Sequence, residues 1–321
     1  MRYRTLGRTG LNVSEIGFGA WGISASQWIG AEDETSLKTL KAARDSGINF
    51  FDTALAYGMG HSEQLINRAF GKSSDVVIAS KVPPKDMIWP AQKGTPLKKV
   101  FPRDYVLTSL DTSLRNLGRE SVDIYQFHVW LDDWSGLDEW IETVNVMKSS
   151  GKARFVGISI NDHQPANSLK ALDTGLIDTV QVIYNLFDQS PEDELFPYCR
   201  QNSIGVIARV PFDEGSLTGN VRPDTKFPKG DFRNDYFAGD RKREVWQRVQ
   251  DLAKDAAIPV EQLPEFALRF CLSDPAVSTV IPGMRTPARV TQNSAASEAG
   301  PLPNDVLQKM RKYRWVRNYY D

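Results

Sequence analysis

The stretch NFFDTALAYG, residues 49–58, decides how the rest of this chain is read. Residues 49–51 read as a short strand, and Phe50 and Phe51 follow one another without polar alternation, the pattern of a strand buried on both faces in a parallel sheet. Asp52 ends that strand, and Tyr57 follows in a turn-like segment closed by Gly58. Parallel α/β folds carry their chemistry on polar, titratable groups at the carboxyl ends of core strands. The pair alone also fits a plainer reading, an aspartate capping a turn beside a tyrosine packed on the rim. Its neighbours along the chain have to discriminate.

Upstream, residues 3–6 and 11–14 flank GRTG, a strand-turn-strand pattern that reads as a hairpin closing one end of the fold. A strand near residues 16–18 then runs into GFGAWG, residues 17–22, which matches GxGxxG in letter. The dinucleotide fingerprint needs a helix to open at those glycines. Here the helical pattern starts only near Glu32, so a glycine-bearing loop that lets a ligand approach the backbone is the better reading. From Glu32 onward helix and strand patterns alternate. Helices fit residues 32–46 and 62–70, and strands fit 76–80, 123–128, 155–159, 180–183, 205–209 and 278–281. Lys81 is expected just past the end of the strand at 76–80. Pro-rich residues 83–102 and Gly-rich residues 215–240 read as long loops. No composition break divides the chain, so residues 1–321 read as one domain, an eight-stranded parallel (β/α)8 TIM barrel with an N-terminal β-hairpin.

Composition bounds the partners. The 39 Lys and Arg against 40 Asp and Glu leave a net charge of -1, with no global pull toward nucleic acid or an anionic membrane. Cys199 and Cys271 are the two cysteines, too few for a disulfide framework or a metal pattern, which fits a reducing compartment. No run approaches the roughly 20 apolar residues that cross a bilayer, and the N-terminus lacks a signal-like apolar core. A cytoplasmic protein is the expectation.

Side by side in a barrel, the strand ends gather Asp52 and Tyr57, Lys81, and His128 at one mouth. A tyrosine serves as a general acid near neutral pH when its pKa of about 10 is lowered, and a neighbouring ammonium favours the phenolate. Lys81 is placed to do that, Asp52 to keep Lys81 charged and aimed, and His128 to orient a carbonyl oxygen. The pieces FDTALAYG, IASKV, SLRNLGRESVDIYQFH, VGIS, VQVIYN and VIPGMR, in that order, resemble those of the aldo-keto reductases. The resemblance implies a (β/α)8 barrel that reduces aldehydes or ketones with NADPH and without metal, with Asp52, Tyr57, Lys81 and His128 catalytic.

For the cofactor the same resemblance implies Gly19, Ala20 and Trp21 near the nicotinamide ribose and Ser159 and Gln181 on the carboxamide. It puts Gly215, Ser216 and Leu217 in a loop over the pyrophosphate. Gly283, Met284, Arg285 and Arg289 fall near the 2′-phosphate, and Gln292 and Asn293 near the adenine. Three departures stand out. Ile160 intervenes between Ser159 and Asn161, where the family often has Asn directly after Ser. Gly283 replaces a frequent lysine, which leaves room for tolerance of NAD. Arg209 stands where an aromatic residue commonly stacks on the nicotinamide, and an unpaired guanidinium there would favour the reduced cofactor unless Asp213, Glu214 or the pyrophosphate pairs with it. Trp21, Trp89 and Trp130 are candidates to wall the substrate pocket with Tyr57 and His128. A cofactor-sensing subunit of a larger assembly is the alternative function, and a lyase forming a Schiff base on Lys81 is a more distant one.

Overall fold

The computed structural model describes residues 1–26 and 28–315. Strands β1 (Tyr3–Thr5) and β2 (Asn12–Ser14) pair antiparallel as the expected hairpin. Leu6 and Val13 bury themselves against Phe50, Ile124 and Ile207. The contact is tight: a Cβ on Gly205 would lie 2.8 Å from Leu6 Cγ. Since Phe50 and Gly205 begin their strands, the hairpin plugs the amino-terminal end and leaves the carboxyl end open.

Eight strands follow: β3 (Phe18–Gly19), β4 (Phe50–Asp52), β5 (Val77–Val82), β6 (Val122–Phe127), β7 (Ala153–Ser159), β8 (Thr179–Ile183), β9 (Gly205–Arg209) and β10 (Val277–Val280). Neighbours in sequence are neighbours in the sheet, every pair parallel. Parallel bridges Ile16–Val280 and Gly19–Gly283 join the first strand to the last, and Gly17 N–H donates to the Val280 carbonyl at 2.8 Å. This is a closed (β/α)8 barrel. A Cβ on Gly19 would sit 2.7 Å from the Ile281 carbonyl oxygen, so the glycine is required by the seam. A short 3₁₀ turn, Trp21–Ile23, takes in the end of GFGAWG, and the first α-helix starts only at Asp33, so no dinucleotide fingerprint forms there.

The helices form for ordinary reasons. Helix Arg103–Leu117 begins after Pro102, buries Val106, Leu110, Leu114 and Leu117 along one side and stops at Gly118 with φ 64°. Strands β4, β6, β8 and β10 are buried along their whole length, as expected of a parallel sheet covered on both faces. Three expectations need adjustment. Strand β5 runs through Val82, so Lys81 lies inside it and not beyond its end. The loop at 83–102 contains helix Leu97–Val100, and the segment at 215–240 carries a 3₁₀ run, Asp213–Thr218, and helix Arg233–Tyr236. Both loops hold buried apolar anchors (Leu97, Val100, Leu217, Tyr236) that local turn chemistry does not reveal. Cys199 and Cys271 are free and buried, and burial raises both thiol pKa values. No helix among the described residues is long and apolar enough to cross a membrane.

Candidate active site

At the open end, β4, β5 and β6 deliver a buried polar cluster. Lys81 pairs in register with Gln126 and its side chain is 0% exposed. Its Nζ donates to Asp52 Oδ1 at 2.6 Å and to the Thr53 carbonyl at 2.8 Å, and reaches the Tyr57 hydroxyl at 3.4 Å. The other Asp52 oxygen accepts from Gln181 Nε2 at 2.7 Å and from Gln126 Nε2 at 3.5 Å. The ammonium and carboxylate are thereby compensated, as a buried pair must be. Tyr57 is fixed by its turn: its N–H donates to the Ala54 carbonyl, and its carbonyl accepts from Ser62 N–H. Trp21 stacks on the Tyr57 ring with centroids 6.2 Å apart, and His128 meets it edge-on at 5.7 Å. Trp89 packs edge-on against His128 from the far side.

The sequence led us to expect a lowered Tyr57 pKa. The structure gives the opposite direction: burial raises it more than the charge and hydrogen bond of Lys81 lower it, with Asp52 also raising it. The phenol therefore keeps its proton through the neutral range. His128 is held well below its ordinary pKa by burial, then by the positive charges of Lys81 and Arg209. It is a neutral imidazole whose Nδ1 has no hydrogen-bond partner among the described residues.

A cavity of about 960 Å³ runs from Trp89 and His128 to Arg285, Arg289 and Asn293. Gly19, Ala20, Trp21, Asp52, Ser159 and Gln181 border its middle, with Tyr57, Arg209 and Gly215, and Gly283 borders the far end. Other expected contacts do not reach it. Ser216 and Leu217 are buried under the loop, Ser216 Oγ donating to Asp213. Met284 is buried, and Gln292 instead accepts a hydrogen bond from Arg289. Lys81 lies beneath the cavity and acts on it through Asp52 and Tyr57. Trp130 is packed among Phe127, Trp134 and Trp140, an internal aromatic cluster away from the opening. Asn161 is on the wall, but its amide is engaged with the backbone of Ala91 and Trp130.

Trp130→Ala should accordingly cost about 3–5 kcal/mol of stability in a denaturant melt. Trp89→Ala should leave stability nearly unchanged and alter what the cavity accepts. A stable Trp130→Ala protein would contradict that placement.

The cavity suits an anionic dinucleotide. Arg285 lies just before the N-cap and Arg289 in the first turn of helix Pro287–Ala299, whose amide dipoles add positive potential. Arg285 is held by the Ile29 carbonyl at 2.9 Å, and among the described residues neither arginine forms an ion pair. A Cβ on Gly283 would meet nothing within 4 Å, so the backbone there is open to a ligand. Arg209 differs: its guanidinium bonds Asp162 and, at 2.9 Å, the Ile160 carbonyl, and its charge also acts on Glu214. The exposed charge expected at that position is therefore compensated, because Asp162 projects from the loop after β7. Asp162 and Gln126 were both missed in the sequence, although Gln126 follows the same inward alternation as Lys81.

An eight-stranded barrel with a tyrosine, lysine, aspartate and histidine at its carboxyl mouth and cationic groups at the end of a long cleft is the framework of an oxidoreductase using a nicotinamide nucleotide. The Aldo/keto reductase family model matches residues 15–314. The chain is 30% identical over 296 residues to Aldo-keto reductase YhdN of Bacillus subtilis (strain 168), covering 90% of this chain and 87% of that protein. It is 28% identical to the NADH-specific methylglyoxal reductase of Escherichia coli (strain K12), covering 92% and 93%. The holo form of aldo-keto reductase AKR11C1 from Bacillus halodurans superposes with a TM-score of 0.77 at 27% identity, over 100% of both chains. The chain belongs to the aldo/keto reductase family, which supports an oxidoreductase acting on small carbonyl compounds with a nicotinamide cofactor.

Proposed function

We propose that this chain, acting as one domain over residues 1–321, reduces aldehydes or ketones to alcohols with NADPH, and that Tyr57 is the general acid. The observation that carries this reading is the Tyr57 hydroxyl, 3.4 Å from Lys81 Nζ and open to the cavity beside His128, with burial pushing the phenol further from ionisation. A bound nicotinamide supplies hydride to the carbonyl carbon. Everything else falls to the protein. His128 donates a hydrogen bond that orients the carbonyl oxygen toward Tyr57, and Tyr57 gives up its proton as negative charge builds on that oxygen. The phenolate so formed faces the Lys81 ammonium, which offsets the burial that disfavours it. Asp52 and Gln181 keep the ammonium fixed in charge and position. Trp21 and Trp89 wall the opening and exclude water.

Arg285 and Arg289 are assigned to the 2′-phosphate of NADPH. Charge-assisted hydrogen bonds contribute about 1.5–3 kcal/mol each, so replacing either arginine by Ala should weaken NADPH roughly tenfold or more and leave NADH nearly unchanged. Equal loss for both nucleotides would mean that the arginines hold the loop, not the phosphate. NADH remains a permitted second cofactor because Gly283 offers no side-chain cation. Initial rates over a panel of aldehydes and ketones, with NADPH and NADH in parallel, test the reading as a whole.

A further inference from the structure

The Asp162–Arg209 pair lies on the cavity wall and has no role in the chemistry above. If the cavity takes a nicotinamide nucleotide as proposed, the position of its ring is constrained. The carbonyl oxygen must reach Tyr57, and the ring must come to about 3–3.5 Å from the carbonyl carbon. The phosphate end is drawn to Arg285 and Arg289. Between these limits the wall is built by the ends of β7, β8 and β9, where Ser159 is in register with Gln181 and Ile183 with Arg209. Arg209 is close enough for its charge to lower the pKa of both Tyr57 and His128. Arg209 lines the same cavity as Tyr57 and His128, on the wall that the ring would pass.

An oxidised nicotinamide ring is cationic and a reduced one is neutral. Two like charges about 4 Å apart repel strongly enough to change an affinity tenfold or more at the effective dielectric of a protein site. A bare Arg209 would thus discriminate sharply against the oxidised form. We propose that Asp162 sets the relative affinity for oxidised and reduced nucleotide, by cancelling the Arg209 charge that the cationic ring would otherwise meet. Asp162 is in this sense a positioning residue that acts through Arg209.

Asp162 is the carboxylate bonded directly to Arg209, and the other charged groups around the cavity are engaged elsewhere or mostly neutral. Asp213 is engaged by Tyr236 and Ser216, each at 2.6 Å, with Arg241 behind it. Arg233 is paired with Asp231, and Asp52 with Lys81. Glu214, which also borders the cavity, is pushed up to about 8 by burial and then by Asp213 and Asp162, so it is mostly protonated at neutral pH. Removing the Asp162 charge would ease the ionisation of Glu214, and a complete test must include both carboxyl groups.

NADP⁺ and NADPH are titrated separately, by quenching of tryptophan fluorescence, into wild type, Asp162→Asn, Asp162→Asn/Glu214→Gln, Arg209→Gln and Asp162→Asn/Arg209→Gln. Asparagine keeps the shape of Asp162 and still accepts from Arg209, which preserves the fold. We expect the NADP⁺ to NADPH dissociation-constant ratio to rise roughly tenfold in the Asp162→Asn/Glu214→Gln protein. It should fall in Arg209→Gln and return to the wild-type value in Asp162→Asn/Arg209→Gln. An unchanged ratio in both Asp162 variants, or a raised ratio that persists in Asp162→Asn/Arg209→Gln, overturns the proposal while nucleotide binding itself still stands. Failure of every variant, wild type included, to bind either nucleotide overturns the nicotinamide reading together with it.

Discussion

Tyr57→Phe is expected to lower kcat by roughly 10²–10⁴-fold, the range of a lost general acid, while NADPH binds with unaltered affinity. Phenylalanine preserves the ring stacked on Trp21 and set edge-on to His128, and it removes only the hydroxyl 3.4 Å from Lys81. Because the phenol is shifted upward by burial, the wild-type enzyme should also hold its activity across neutral pH and lose it only in strongly alkaline solution, where the free phenol ionises. No inflection near the ordinary histidine pKa is expected, since His128 is neutral well below it. Stopped-flow turnover and a nucleotide titration on the same Tyr57→Phe sample separate chemistry from binding. Near-normal kcat with an intact fold would remove Tyr57 from its role.

Lys81→Met is expected to do damage of two kinds. Turnover should fall as in Tyr57→Phe, because the phenolate loses the only ammonium bonded to it among the described residues. Stability should fall too, by about 3–5 kcal/mol, since Asp52 is left charged at 2% exposure without its counterion. The two effects separate in Asp52→Asn/Lys81→Met, where no charge is stranded: urea melts should recover most of the stability, and turnover should stay low. If the single and double variants are equally stable, the buried pair is not balanced in the way its geometry indicates.

Much of this was legible in the sequence. Short strands leading to Asp52 and His128, alternating with helices whose apolar residues recur at helical spacing, were enough for a closed parallel barrel, because each local pattern agrees with the global fold. The four residues at the mouth were readable because successive strands of such a barrel must deliver their ends to one place. What local pattern could not supply was depth and balance. Trp130 looks like a loop tryptophan, but the turn after β6 folds it inward onto Trp134 and Trp140. The Tyr57 pKa expectation had the sign of the Lys81 influence right and omitted the larger effect of burial. For Arg209 the sequence offered an uncompensated charge or a pair with Asp213, Glu214 or the pyrophosphate, and not Asp162, which is 47 positions away in the chain and comes beside it only through the pairing of β7, β8 and β9.

The central claim is carbonyl reduction by NADPH with a proton from Tyr57, and it is tested most directly by isotope transfer. Wild type is mixed with NADPH deuterated on the transferred position and a panel of aldehydes, and the products are examined by mass spectrometry and NMR. The account predicts alcohols carrying deuterium on the former carbonyl carbon, formed in step with the loss of NADPH absorbance and nearly abolished in Tyr57→Phe. Tight nucleotide binding with no labelled alcohol from any aldehyde would contradict it, and would point to a protein that senses its cofactor without turning it over.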